Sequence, residues 1–227
     1  MSKVGDVLEL MHTATLRPAS VRGLLREWAN LHLWGESARR YEELLPEGSF
    51  RRIGERNVER LPEIRDGTYR IRRRYPGNFW HIESTNYLGK NLVVRNEKTW
   101  WLSDSKGGLT TNERGAGRSP GLSFHGERFI ELMLDPADVL AFTHIEVTGG
   151  PTYVGRPAYD VSATWRRDVD LFHVDLPYAD STRVLVDAEY GVLLLLEFYL
   201  DDTLFIRWQV DEVAFDEVMP DSMFEGI

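Results

Sequence analysis

The sequence predicts a mainly β protein with α-helical insertions, built as a strongly curved antiparallel sheet or incomplete barrel whose open side the helices cover. Three observations lead there. From about residue 66, short runs rich in Val, Ile, Tyr, Phe and Trp alternate apolar with polar positions, with turn residues between them. Helical spacing returns clearly in only two places, residues 3–15 and 127–141. Internal repeats, low-complexity linkers and composition breaks are absent, so residues 1–227 read as one domain.

Along the chain, Val4, Val7, Leu8 and Met11 fall at i, i+3, i+4 and i+7, the pattern of a short amphipathic helix over 3–15. Ser2 suits its N-cap, Asp6 its first turn, and Pro18 closes the segment. Residues 20–34, SVRGLLREWANLHLW, fit two periods. Val21, Leu25, Ala29, Leu31 and Leu33 alternate with Arg22, Arg26, Asn30 and His32 as in a long strand, while Val21, Leu24, Leu25 and Trp28 match a helix. Residues 36–48 read as a short helix or a loop. In TYRIRRRY, Arg70, Arg72 and Arg74 share one strand face and Tyr69, Ile71 and Tyr75 the other. NFWHIEST, NLVVRN and TWWLSD follow as strands, then 105–126 as a glycine-rich loop with a short strand at 109–111. ERFIELMLDPADVLA is the second helical region, broken near Pro136 because proline cannot continue a helix ladder. Strands resume at 158–166, pass through STRVLVD and VLLLLEFYL, and turn at Asp201–Asp202 into TLFIRWQVDEVAF. About eight strands with one apolar face are expected, enough to demand curvature or partial closure.

A net charge of −9 lowers the case for a general nucleic-acid binder or a binder of anionic membranes, both of which are normally basic. The absence of cysteine excludes disulfides, thiolate metal sites and a cysteine nucleophile. The longest apolar run, VLLLLEFYL, meets Glu197 after five residues, so no membrane-spanning segment is expected. Asp6, Glu9 and His12 interrupt what would be the apolar core of a signal peptide, and a cytoplasmic location is expected for the chain as given.

No strong catalytic motif emerges. Ser123 and His125 in GLSFHG only loosely resemble a nucleophile elbow and fit a loop better. Asp168, Asp170, His173, Asp175 and Asp180 could ligate a divalent metal but lack the glycine-centred spacing of a calcium loop, and a solvated acidic segment is the simpler reading. GAGRSPG lacks the Lys-Ser/Thr of a phosphate loop. Arg70, Arg72, Arg73 and Arg74 fit a solvated strand face or an anion site. Among six histidines without metal-ligand spacing, His81 beside Trp80 is the one to watch for acid–base work. No catalytic residue, metal or cofactor is assigned.

The aromatics carry the most information. All seven tryptophans (28, 34, 80, 100, 101, 165 and 208) fall on expected strands or at their ends, where they fill a core, line an apolar cavity, or do both.

The tail VLVDAEYGVLLLLEFYLDDTLFIRWQVDEVAFDEVMPDSMF, residues 184–224, resembles the ending of the outer-membrane lipoprotein carrier (LolA-like) superfamily, in the form common in actinobacteria. NLVVRNEKTWWLSDSKGGLTTN, 91–112, is similar to that superfamily's paired strands, in which a turn precedes an aromatic-rich strand ending in Asp. The resemblance implies a half-open β-barrel with helices over its concave face and an apolar cavity between, and it favours the strand over 20–34. It also implies carriage of acyl chains or other lipids, although one relative with this fold is a biosynthetic enzyme.

The function expected from these features is non-catalytic binding or carriage of a hydrophobic ligand, in a continuous cavity of several hundred Å³. Trp28, Trp80, Trp100, Leu102 and Trp208 are the expected contacts. Strand parity puts Trp100 with Leu102 on the concave side and Trp101 with Thr99 and Ser103 on the convex side. Two alternatives stand beside it. A cofactor-independent enzyme would converge His81, Glu83, Tyr87 or Arg72 inside the cavity. A regulatory module would present an apolar patch on the convex face to a protein partner.

Overall fold

The computed structural model describes residues 3–44, 62–77, 79–86, 89–113, 127–165 and 177–226. Its elements are α1 (Lys3–His12), β1 (Ser20–Asn30), α2 (Leu31–Leu44), β2 (Ile64–Arg74), β3 (Phe79–Asn86), β4 (Gly89–Arg95), β5 (Thr99–Ser103), β6 (Leu109–Glu113), α3 (Glu127–Leu134), α4 (Ala137–Phe142), β7 (Thr143–Gly149), β8 (Thr152–Tyr153), β9 (Arg156–Trp165), β10 (Ser181–Asp187), β11 (Leu193–Leu200) and β12 (Thr203–Phe215). Short 3₁₀ turns lie at Ala14–Leu16 and Asp221–Phe224.

The strands form one antiparallel sheet in the order β6-β5-β4-β3-β2-β1-β12-β11-β10-β9-β7, with β8 paired to β9. The edges β6 and β7 do not meet, so the sheet is a curved, half-open barrel rather than a closed one. Among the described residues twelve strands stand where eight or so were expected. The surplus includes β8, two residues long, and β7, THIEVTG, whose threonines and glycine weaken its alternation.

Segment 20–34 is where the expected strand fails. It ends at Asn30, and Leu31–Trp34 open α2 instead. The Asn30 carboxamide supplies the cause: its oxygen accepts the backbone N–H groups of His32 and Leu33, each at 3.1 Å, capping the first turn of the helix. Trp34 is therefore a helix residue.

Other local signals act as expected. Pro136 separates α3 from α4. Asp201 and Asp202 both take positive φ, +46° and +59°, the left-handed pair that a two-residue hairpin between twisted strands requires. Gly191, at φ +77°, closes the β10–β11 turn directly against α1, where a Cβ would stand 2.1 Å from the Leu10 carbonyl oxygen.

Cross-strand register sorts the side chains into two faces. On β1, Val21, Gly23, Leu25, Glu27 and Ala29 point inward, and a bulge between Leu24 and Leu25 keeps β12 in phase. The inner face carries the core, with Ile71, Ile82, Val93, Val161, Val184, Leu196, Phe198, Ile206 and Trp208 all buried. The helices cover it: α3 packs on β11, α2 on β1 and β12, and α1 and α4 on β7. The outer face is a ladder of ion pairs, among them Arg22–Glu217, Arg26–Asp211, Arg183–Asp160 and Arg207–Glu197. Among the described residues, no helix is long and apolar enough to cross a membrane.

Candidate ligand-binding face

Directly paired residues share a face, so rows can be read across the sheet. One inner row runs Ile71–Ile82–Val93–Leu102 over β2 to β5 and is entirely apolar. The next, toward the β2–β3 and β4–β5 turns, runs Arg73–Trp80–Arg95–Trp100. A third, further along β1, pairs Glu27 with Trp208.

The expected contacts divide among these rows. Trp80 is buried, and Trp100 and Leu102 are half-buried, together at one end of the inner face. Trp208 is fully buried some six residues along β1 from that group, about 20 Å away at strand rise. It stacks on Phe129 of α3 at 5.4 Å between ring centroids and leans on Tyr69 at 4.8 Å. Trp28 belongs to neither group. It lies on the outer face, half-buried between Asp66 and Arg207, because its parity on β1 is opposite to that of Leu25 and Glu27. Trp101 is likewise on the outer face, between Val94 and Thr111.

Beside Trp208 sits a polar cluster that the alternation of residues 20–34 did not single out. Glu27 is fully buried, and it pairs with Arg65 and accepts the Tyr69 hydroxyl at 2.7 Å. The Arg65 guanidinium lies 4.6 Å over the Trp34 ring, and Asn86 hydrogen-bonds the Tyr69 oxygen. Burial pushes the Glu27 carboxyl above the usual carboxylate range, against the pull of Arg65 and Tyr69. Burial, helped by the neighbouring Glu27 charge, also pushes the Tyr69 phenol up. The sequence held a signal for this cluster: Glu27 shares the parity of Val21, Leu25 and Ala29, an acid on an apolar face.

The groups proposed for chemistry do not converge inside. Arg72, His81 and Glu83 meet, but on the outer face: Arg72 donates to Glu83 at 2.8 Å and stands 3.1 Å from His81 Nδ1. Burial and the adjacent Arg72 charge lower the His81 pKa, and the Arg72 hydrogen bond lowers that of Glu83. Arg70 and Arg74 share that outer face, with Arg74 paired to Asp221, whereas Arg73 faces inward over the Trp80 ring at 4.3 Å. The group of four arginines is therefore split by strand parity. Tyr87, Ser123, His125, Asp168, Asp170, His173, Asp175 and GAGRSPG lie outside the described residues. Asp180 is described, and it accepts Asp201 N–H and lies 3.5 Å from Arg40.

Between the inner face and α3 the described residues leave only a small space. The space enclosed by β1, β11, β12 and α3, lined by Val21, Leu25, Ile71, Met133, Leu194 and Val210, amounts to about 10 Å³, room for one water at most. The reason is visible in α3, whose Phe129, Ile130, Leu132, Met133 and Leu134 are all buried against the sheet. There the protein's own helix packs closely on the sheet.

No family model matches the chain, and no curated protein matches it. Solved structures do. MucB superposes with a TM-score of 0.55 at 13% identity, over 98% of this chain and 62% of MucB, and the MucA/MucB complex of Pseudomonas aeruginosa with a TM-score of 0.53. The chain thus spans about three fifths of the MucB length. Lipoprotein LppX of Mycobacterium tuberculosis gives 0.51 at 10% identity, over 96% of this chain and 99% of LppX. An uncharacterized conserved protein from Thermus thermophilus gives 0.52 at 7% identity, over 100% and 95%. At such identities the likeness shows the fold alone, one shared with MucB and with lipoprotein LppX.

Proposed function

We propose that this chain binds and carries a hydrophobic ligand, a lipid or acyl chain, between the inner face of the sheet and the helices that cover it. The observation that carries this reading is the cover itself. Helices α3 and α4 have eight and six residues, too few to persist in water unless packed on something. Buried apolar side chains of α3 lie on the sheet, and an acyl chain can take over that surface.

The magnitudes permit the exchange. Withdrawing the five buried side chains of α3 costs about 1.5–3 kcal/mol each, roughly 8–15 kcal/mol in all. A palmitoyl-length chain recovers about 0.8 kcal/mol per methylene, roughly 12 kcal/mol. Near-balance is what reversible loading and release need. The fold shared with LppX and MucB supports the same reading, and Trp80, Trp100, Leu102 and Trp208 are the inner-face contacts proposed for the ligand. Trp28 is left out because it faces the other way.

A protein partner is the second reading, supported by the complex that MucB forms with MucA. It is the weaker one for this chain. The exposed large apolar residues Leu8, Leu16, Leu44, Ile64, Leu109, Val154 and Val218 sit on separate segments.

Native mass spectrometry of protein purified without detergent tests the proposal, followed by delipidation and titration with fatty acids of increasing length. The expected result is a co-purifying lipid mass and an affinity that rises with each added methylene. Absence of bound lipid together with no binding of long-chain ligands would refute it.

A further inference from the structure

The row Arg73–Trp80–Arg95–Trp100 places two guanidinium groups on the inner, core-bearing face of the sheet. They are not equivalent. Arg73 donates to the Gly77 carbonyl at 2.8 Å, hydrogen-bonds Tyr75 and lies over the Trp80 ring. Arg95 has nothing comparable. It is 7% exposed, and its Nε is buried without an acceptor. Among the described residues its side chain makes no hydrogen bond and no ion pair. The indole Nε1–H of Trp100, its neighbour in the row, is also buried without an acceptor.

A guanidinium cannot escape burial by losing its proton, so an unpaired one is among the costliest groups a core can hold. Two adjacent orphan donors of this kind call for the same partner, an acceptor bearing negative charge. The setting suits one. Trp80 and Trp100 flank Arg95, and the burial of Arg95 strengthens any charge-assisted bond formed there. The guanidinium fork matches the two oxygens of a carboxylate or phosphate, and the indole N–H adds a further donor. Two residues back along β4, about 7 Å away, Val93 belongs to the wholly apolar row that runs from Ile71 to Leu102.

We propose that Arg95, with Trp100, is the subsite for the anionic head group of an amphipathic ligand, a carboxylate or phosphate whose hydrocarbon tail lies along the row of Val93 and Leu102. This rests on the carriage proposed above and specifies its ligand as an acid rather than a neutral lipid.

The test measures binding of palmitate, hexadecyl phosphate and 1-hexadecanol, three heads on one tail, to the wild type, Arg95→Met and Arg95→Lys, by calorimetry and tryptophan quenching. In the wild type at least one of the two acids binds about tenfold or more tightly than the alcohol, one charge-assisted pair's worth of discrimination. The larger preference identifies the head as carboxylate or phosphate. Arg95→Met abolishes the preference by weakening acid binding far more than alcohol binding, and Arg95→Lys, which keeps the charge but loses the fork, retains part of it. Without ligand, Arg95→Met melts higher than the wild type by about 2–8 °C, because it removes an unpaired buried charge. A residue kept for structure would melt lower. Equal affinities for acid and alcohol would overturn the subsite and leave carriage standing. Binding of none of the three would overturn both.

Discussion

The buried Glu27–Arg65 pair offers the sharpest test of how the inner face is held. Replacing Glu27 with Met removes the carboxylate and leaves Arg65, 7% exposed, as a buried cation that cannot deprotonate. Breaking a buried pair from one side costs about 3–5 kcal/mol, which for a chain of this size lowers the melting temperature by about 6–20 °C. Arg65→Met is not its mirror image. Glu27 is already held above the usual carboxylate range by burial, so without Arg65 it takes up a proton and avoids standing as an unpaired charge. Its cost is therefore smaller in mildly acidic buffer and grows with pH by up to about 1.4 kcal/mol per unit until the carboxyl ionises. The double variant replaces the pair by apolar side chains of similar size and is expected to melt within a few degrees of the wild type or above it. The sign for the wild type follows from the same shift. A carboxyl whose folded pKa is raised stabilises most below the ordinary carboxylate range, and that contribution is lost as pH rises through the folded value. Thermal melts of the four proteins at several pH values complete the cycle. Two results would refute the reasoning: a Glu27→Met change of under about 2 °C, or a double variant as unstable as the sum of the singles.

Three further outcomes are expected. Trp208→Ala, which empties a fully buried site stacked on Phe129, costs about 3–5 kcal/mol in urea unfolding. Gly191→Ala, combining φ +77° with a Cβ 2.1 Å from the Leu10 carbonyl, costs about 3 kcal/mol or more in the same assay. His81 titrates below its usual value of about 6.5 in an NMR pH series, because burial and Arg72 disfavour its charged form. The stability it contributes is present above that value and lost as pH falls through the folded pKa, a slope that His81→Phe removes.

Much of the fold was legible because alternation is a local property. β9, β10 and β12 announce themselves by parity, Pro136 by its missing N–H, and Asp201–Asp202 by turn chemistry. The parity of β5 likewise separates Trp100 from Trp101 as the pairing with Arg95 and Val94 does. What stayed hidden depends on neighbours. Asn30 looks like any polar strand residue until its carboxamide caps the next helix. Trp28 reads as a cavity aromatic until register shows which side of β1 is covered. Glu27 and Arg73 were readable by parity, but only as anomalies, since their meaning comes from Arg65 and Trp80 on other strands. The isolation of Arg95 is a fact about what does not surround it, which a linear pattern cannot express. The filled interior belongs to the same class, because helix α3 is amphipathic in sequence whether it lines a cavity or plugs one.

The sheet order also constrains how this chain comes into being. Its middle is the pairing of β1 with β12, whose partners Val21–Ala29 and Ile206–Phe215 are separated by nearly the whole intervening chain. On a ribosome adding about 5–20 residues per second, β1 waits roughly 10–35 s for its partner to be synthesised. Until then β1 can pair with β2 on one side while its other edge stays open, and the β2–β6 wing and the β9–β11 wing form as separate hairpin arrays. Folding therefore ends by joining two halves along their centre, a high-contact-order step whose unfinished edges are the natural substrate for chaperones and for misassembly between copies. A truncation that removes β12 does not trim a border of this protein. It takes out the seam.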